Sequence, residues 1–411
     1  MKYSINNQTT RPPRITLMNR LFWPQRFGGL ERVLWQFANS FADAGTHVHV
    51  ISEQHDHAPA SQQAREYLTV QRHQPVELGR LWRIAELVQA RWWQRAIQQA
   101  PPSDIYWANE PTAATAVIRA GHADKLLYRP VFCYEGMTHV ARTIPEMAPL
   151  GRSYLARKLD RYAYKHAATV IDESHNLLQQ HQHYYGPRPN TLVIPNPASM
   201  PEHTTCQRER FGLTPEQFVI GFVGRPGDPC KDLPFLIDAL KSQAMPHHAR
   251  LLIVGGGAQL DQAQQWIKDA GLSHHTIWTG DLENPSPAFA AMNTFVLPSR
   301  FETFGNVIVE AHAHGLPALA RGAHFTSIPP VYTASGELID NGVTGYVVDS
   351  HDPAELGAKL LLMATNPAIA IEMGRVAKQR AASYTWADVA DRYLQAVGLD
   401  AQPIASARLA A

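Results

Sequence analysis

Short apolar runs alternate along this chain with amphipathic stretches of helical spacing. RITLM (14–18) reads as a buried strand, followed by the turn-rich NRLFWPQRFGGL. From Glu31 onward Val33, Leu34, Phe37, Ala38 and Phe41 fall on one helical face, and Gly45 stops that helix. HVHVIS predicts the next strand. Strand, glycine loop, helix and strand make a βαβ unit, which demands a parallel sheet. The alternation resumes with DIYWAN (104–109) as a strand, the helical TAATAVIRAG, PVFCYEG (130–136) as a strand, the helical ARKLDRYAYKHA, and TVIDES (169–174) as a strand.

A proline-rich passage, PRPNTLVIPNPASMPEH (187–203), interrupts this pattern and reads as a linker. Beyond it come the glycine-ended strands FVIGFVG (218–224) and ARLLIVGGG (249–257), with the helices LPFLIDAL and DQAQQWIKDAG. TIWTG, NTFVLPS, LPALA and GYVVD predict further short strands, and ADVADRYLQAVG a last helix. The expected class is α/β: two halves of similar size with parallel sheets facing a central cleft. Ligands of such sheets sit at the carboxyl ends of the strands.

Composition narrows the picture. A chain of 411 residues exceeds one ordinary core, so two domains are expected. A net charge of +1 argues against a nucleic-acid footprint. Three cysteines, Cys133, Cys206 and Cys230, are no disulfide framework and show no metal-ligand spacing along the chain. The N-terminal MKYSINNQTTRPPRI lacks the apolar stretch of a signal peptide, and no run spans a bilayer, so the expected compartment is cytoplasmic.

Chemistry concentrates in three loops. In GFVGRPGDPCKDLPF, Gly224 lets backbone approach a ligand, and Arg225 and Lys231 suit a diphosphate just before a helix N-terminus. A solvated basic pair would read the same. FGGLERVL places Gly28 and Gly29 between the first strand and first helix, where phosphate meets backbone amides, although a plain turn also fits. FETFGNVIVE sets Glu302 before a helix and Glu310 two turns in. Thr303 is the expected N-cap, with Phe304, Gly305 and Asn306 as the first turn. Two carboxylates beside an anion-binding helix end suit a ligand with hydroxyls and a diphosphate, a nucleotide sugar. Two surface glutamates near a helix N-terminus would also satisfy the dipole.

The segment ExFGxxxxE followed by AxAxGLPxxA resembles the signature of the family-4 glycosyltransferases, retaining enzymes of GT-B fold with two Rossmann-like domains. FGGLERVL, VIPNP, GFVGRPGDPCKD, ELIDNGVTGYVVD and YTWADVADRY resemble further elements of that family, in order. The resemblance implies an acceptor-side domain over 1–198, a donor domain over 199–384, and a C-terminal segment 385–411 whose helix packs back on the first domain. It implies transfer of a hexose from a UDP- or GDP-linked sugar to a hydroxyl of a glycan, lipid-linked or small-molecule acceptor. Arg225 and Lys231 would grip the diphosphate, Glu302 the donor sugar, and the amides of Phe304, Gly305 and Asn306 sugar and phosphate. Glu310 would bind ribose, and Gly29 would let the first domain close. Basic residues and helix dipoles would neutralise the leaving group with no metal and no other cofactor. A sugar-nucleotide epimerase and a catalytically silent sugar-nucleotide-binding protein are the alternatives.

The chain departs from the family pattern in three places. Where many members carry a histidine near the donor sugar, CYEGMTHVA offers Glu135 or His139. The hinge reads NPAS, and 321–336 is longer than the usual turn. GRLWRIAELVQARWWQRAIQQ (79–99) interleaves arginines with tryptophans. An ordinary helix packing into the first domain is the favoured reading, and peripheral contact with the inner membrane the alternative.

Overall fold

The computed structural model describes residues 11–22, 29–54, 59–76, 84–143, 153–201, 207–323, 332–349 and 351–399. Among them, eight strands form the first sheet. They are β1 (Arg14–Met18), β2 (His47–Glu53), β3 (Ser61–Arg65), β4 (Leu68–His73), β5 (Ile105–Ala108), β6 (Leu126–Tyr128), β7 (Thr169–Asp172) and β8 (Thr191–Val193). Their order is β3-β4-β2-β1-β5-β6-β7-β8, and every neighbour pair is parallel except the β3–β4 hairpin. The second sheet contains β9 (Phe218–Val223), β10 (Ala249–Val254), β11 (Thr276–Trp278), β12 (Thr294–Leu297), β14 (Ala318–Arg321) and β16 (Gly345–Val348), all parallel. Strands β13 (Phe301–Glu302) and β15 (Tyr332–Thr333) pair separately.

Strand order reverses at β1, flanked by β2 and β5, and at β9, flanked by β10 and β12. Such reversals open a crevice at the carboxyl ends of the strands. The loops after β1 and β9 leave the sheets at those crevices. The apolar face predicted from Glu31 onward is buried: Val33, Leu34, Phe37, Ala38 and Phe41 line the first core from helix Gly29–Asp43.

The C-terminal helix Trp386–Ala396 adds Val389, Ala390, Tyr393 and Leu394 to that same first core. Tyr393 stacks on Trp107 with ring centroids 4.8 Å apart. Its hydroxyl accepts from Arg129 Nε at 3.1 Å.

Two expectations need correction. PVFCYEG is not a strand. The strand is β6, immediately upstream; Arg129 N–H makes a last bond to Ala108 O, and Pro130 then removes the next ladder donor. Tyr134 already belongs to a helix, Tyr134–Thr143. The proline-rich linker also contains β8, a three-residue edge strand bounded by Pro189 and Pro195.

In 79–99, residues 79–83 lie outside the described ones. Helix Ala85–Gln99 buries Trp93 fully, and Trp92 donates to Gln74 O at 2.8 Å. Arg91 and Arg95 are exposed. Among the described residues, no single helix is long and apolar enough to cross a membrane.

Candidate active site

The β9 loop turns sharply because its glycines permit it. Gly224 has φ +150° and Gly255, at the end of β10, has φ +127°. A Cβ on Gly255 would stand 2.0 Å from Gly224 O, so the two strand ends touch through bare backbone. Asp232, in the left-handed region at φ 46°, precedes helix Leu233–Lys241. Its carboxylate accepts from Arg300 Nε at 2.7 Å and Arg321 Nη1 at 2.5 Å, which anchors the loop to the segment following β12 and to the end of β14.

Folding brings Lys231 and Glu302 together. Lys231 Nζ lies 2.5 Å from Glu302 Oε2, and both side chains are about four-fifths covered. Arg225 does not join them. Its guanidinium is 72% exposed and pairs with Asp228 in its own loop. The two cations expected to act together therefore stand apart, Lys231 on Glu302 and Arg225 on Asp228. Gly224 lies beside the lysine stem, 3.7 Å from Lys231 Cε to an ideal Cβ.

The helix after β13 is Asn306–Ala313, and its N-cap is Gly305 at φ +105°. Thr303 is not the cap. Its hydroxyl donates to Glu173 Oε1 at 2.8 Å, while Ser174 Oγ donates to Thr303 O at 2.7 Å. Phe304 and Gly305 thus precede the helix, Phe304 is buried, and Asn306 begins it. Asn306 Oδ1 accepts from Asn196 Nδ2 at 2.9 Å. Asn196 and Glu173 both bond Arg129, at 2.9 and 2.7 Å, so one buried guanidinium organises the face against which Thr303 and Asn306 rest. Glu337 completes the junction by accepting from the N–H groups of His175 and Asn176 at the start of helix His175–Tyr185, at 2.8 and 2.6 Å.

Glu310 is half-buried, and burial pushes its carboxyl up to about 7 against the opposing pull of Arg32. Arg32 sits in the first helix, one turn from Gly29, and donates to Glu283 O across the cleft. Gly29 is exposed, with open space where a Cβ would stand. Gly28 lies outside the described residues. Glu135 pairs with Arg157 at 3.1 Å. His139 lies in helix Tyr134–Thr143, and its side chain is outside the described ones. That helix reaches the second half: Cys230 and Phe301, with Phe132, pack on its Met137 and Val140.

A charged group at the β1 crevice escaped the sequence reading. Arg20 donates to Glu53 Oε1 at 2.8 Å, following β1 and closing β2. Glu110 follows β5 and interacts with both; burial pushes it up to about 7 against the pull of Arg20. The signal was present as three charges at the ends of adjacent strands, but the β1–β2–β5 adjacency is a property of the sheet.

With this geometry in place, comparison with known proteins decides the family. The model described as "Glycosyltransferase Family 4" matches residues 27–199, and that described as "Glycosyl transferases group 1" matches 217–366. The chain belongs to the family-4 glycosyltransferases. A D-inositol 3-phosphate glycosyltransferase of Rhodococcus jostii is 26% identical over 61% of this chain and 55% of its own length. The chain thus spans about half the length of the curated relatives it matches. Sucrose-phosphate synthase from Thermosynechococcus elongatus superposes with a TM-score of 0.79 at 19% identity, covering 93% of this chain and 98% of that one. HepE of Anabaena, solved with UDP and glucose, gives 0.69 at 21% over 93% and 98%. These likenesses establish the GT-B fold of this family-4 glycosyltransferase.

Proposed function

We propose that this family-4 member moves a hexose from a nucleotide-diphosphate sugar to an acceptor hydroxyl with retention of anomeric configuration. The observation that carries the reading is the Lys231–Glu302 pair beside the β9 crevice, next to the N-terminus of helix Asn306–Ala313. The donor diphosphate lies along the β9 loop. Lys231 neutralises it, and Arg225 leaves Asp228 to add a second cation. Glu302 accepts from hydroxyls of the donor sugar, while the backbone of Phe304, Gly305 and Asn306 meets sugar and phosphate. Glu310 takes the ribose hydroxyls, with Arg32 opposite. The nucleotide in the HepE structure is UDP, which favours a uridine donor here.

The sugar faces the first half, where Glu135 or His139 makes the remaining contact. The acceptor, a glycan, lipid-linked or small-molecule hydroxyl compound, enters over Arg20, Glu53 and Glu110. Transfer runs on one face of the sugar, and the departing phosphate takes the acceptor proton. No metal is needed to neutralise that leaving group. The reaction takes place in the cytoplasm, and exposed Arg91 and Arg95 give a lipid-linked acceptor a route to peripheral membrane contact.

A thermal-shift screen of UDP- and GDP-sugars tests the donor assignment, because a ligand of the folded state raises its melting temperature. One nucleotide sugar should raise it in wild-type protein and much less in Lys231→Ala. Equal shifts in both proteins would remove Lys231 from the site.

A further inference from the structure

Behind the first half's wall of the cleft, three side chains of mixed chemistry meet. The sulfur of Cys133, a carboxylate oxygen of Asp160 and a ring nitrogen of His181 all lie within 4.8 Å of one another, and all three residues are buried. They come from separate elements. Cys133 immediately precedes helix Tyr134–Thr143, Asp160 lies in helix Tyr154–His166, and His181 lies in helix His175–Tyr185.

Their partners leave valences open. His181 Nδ1 is held by Asp172 Oδ1 at 2.8 Å, and its other ring nitrogen, Nε2, is buried with no hydrogen-bond partner. A histidine fixed through one nitrogen by a carboxylate, with the other left for a cation, is the usual arrangement of a ligating imidazole. Asp160 Oδ1 accepts from Tyr128 Oη at 2.6 Å. Oδ2 accepts from Tyr185 Oη at 2.6 Å and Tyr134 N at 3.0 Å. A carboxylate has about four lone-pair sites, so one remains, on Oδ1.

We propose that Cys133, Asp160 and His181 bind one divalent cation of the zinc class. Thiolate and imidazole select a borderline-soft ion over magnesium or calcium, and three protein ligands leave a fourth position open. On binding, the Cys133 proton, and that of Asp160 where it is protonated, pass to solvent as the metal bonds form. The ion staples three helices, among them the one whose Met137 and Val140 meet Cys230 and Phe301 of the donor side. It is remote in role from the leaving group and independent of the proposed transfer reaction.

The test uses untagged full-length protein. Elemental analysis of wild-type protein from zinc-supplemented cells should find about one zinc per chain, a count expected from a single structural site. Cobalt(II) added to chelator-stripped wild-type protein should give a near-ultraviolet thiolate-to-cobalt band. Folded Cys133→Ser and His181→Ala proteins should lose the zinc, and Cys133→Ser should lose the band. No zinc and no cobalt band in wild-type protein would overturn the proposal, whatever the variants do. Retention of full zinc by either folded variant would overturn it too. The cluster would then be a buried hydrogen-bonded network and nothing more.

Discussion

Lys231 Nζ and Glu302 Oε2 stand 2.5 Å apart, joining the loop after β9 to the segment after β12. The pair sets a cation against a carboxylate beside the end of β9, both about four-fifths covered. Because the pair is mostly covered but still touches solvent, losing one partner should cost more than the about 1 kcal/mol of an exposed pair and less than the about 3–5 kcal/mol of a fully buried one. Lys231→Ala and Glu302→Gln should therefore melt below wild type, by less than a variant of a fully buried pair, and remain folded at assay temperature. Transfer rates should fall about 10²- to 10³-fold, the usual loss for a group that stabilises developing charge. Initial rates measured beside thermal melts check both halves of the statement.

Arg129 belongs to the opposite case. It is 1% exposed and bonds Glu173, Asn196 and the Tyr393 hydroxyl. Removing one partner of a buried pair strands the other charge, at a cost of about 3–5 kcal/mol. Arg129→Met should lower unfolding free energy by that order in a urea titration. Since Glu173 and Asn196 also hold Thr303 and Asn306, donor affinity should weaken at temperatures where the variant is still folded.

Glu310 makes stability depend on pH. Its folded-state value, about 7, lies above the ordinary 4.5, so the folded protein binds more protons than the unfolded chain between those limits. Its contribution is fully present below pH 4.5 and is lost as pH rises to 7. Glu110 acts in the same direction over the same window. Glu310→Gln should flatten the fall in melting temperature between those two pH values, and the double variant with Glu110→Gln should flatten it further. Parallel profiles for wild type and both variants would count against this assignment.

Gly305 holds φ +105°, and a Cβ there would meet Ser335 Oγ at 3.3 Å. Gly305→Ala should cost about 1–3 kcal/mol through backbone strain. It should also displace the Asn306 amide, raising KM for the donor more than it lowers stability. A donor titration at constant acceptor, compared with a melt, measures the two effects.

Much of the fold was legible because apolar runs and helical faces repeat βαβ units whose core residues carry their own period. Val33, Leu34, Phe37, Ala38 and Phe41 were readable as a face and are buried as one. The β3 strand was not readable: SQQAR is polar and exposed at a sheet edge, which is how a loop looks in sequence. β8 hid for a different reason: its three residues, TLV, lie between Pro189 and Pro195 in a stretch whose prolines read as a linker. At the site, the motifs located Lys231 and Glu302 by loop, but only tertiary structure shows that they pair and that Arg225 turns to Asp228. Thr303 looked like a cap because capping is a local rule, yet its hydroxyl is taken by Glu173 from the other half. Cys133, Asp160 and His181 share no sequence spacing, since three helices bring them together.

Product stereochemistry tests the central claim most directly. Wild-type protein would be given α-linked UDP- and GDP-hexoses with a panel of polyol and glycan acceptors, and the new anomeric signal followed by proton NMR. One donor should be consumed, the product should keep the α configuration, and Glu302→Gln should abolish most of this turnover while the protein stays folded. A β-linked product, or donor binding without transfer or hydrolysis under every acceptor tried, would contradict it.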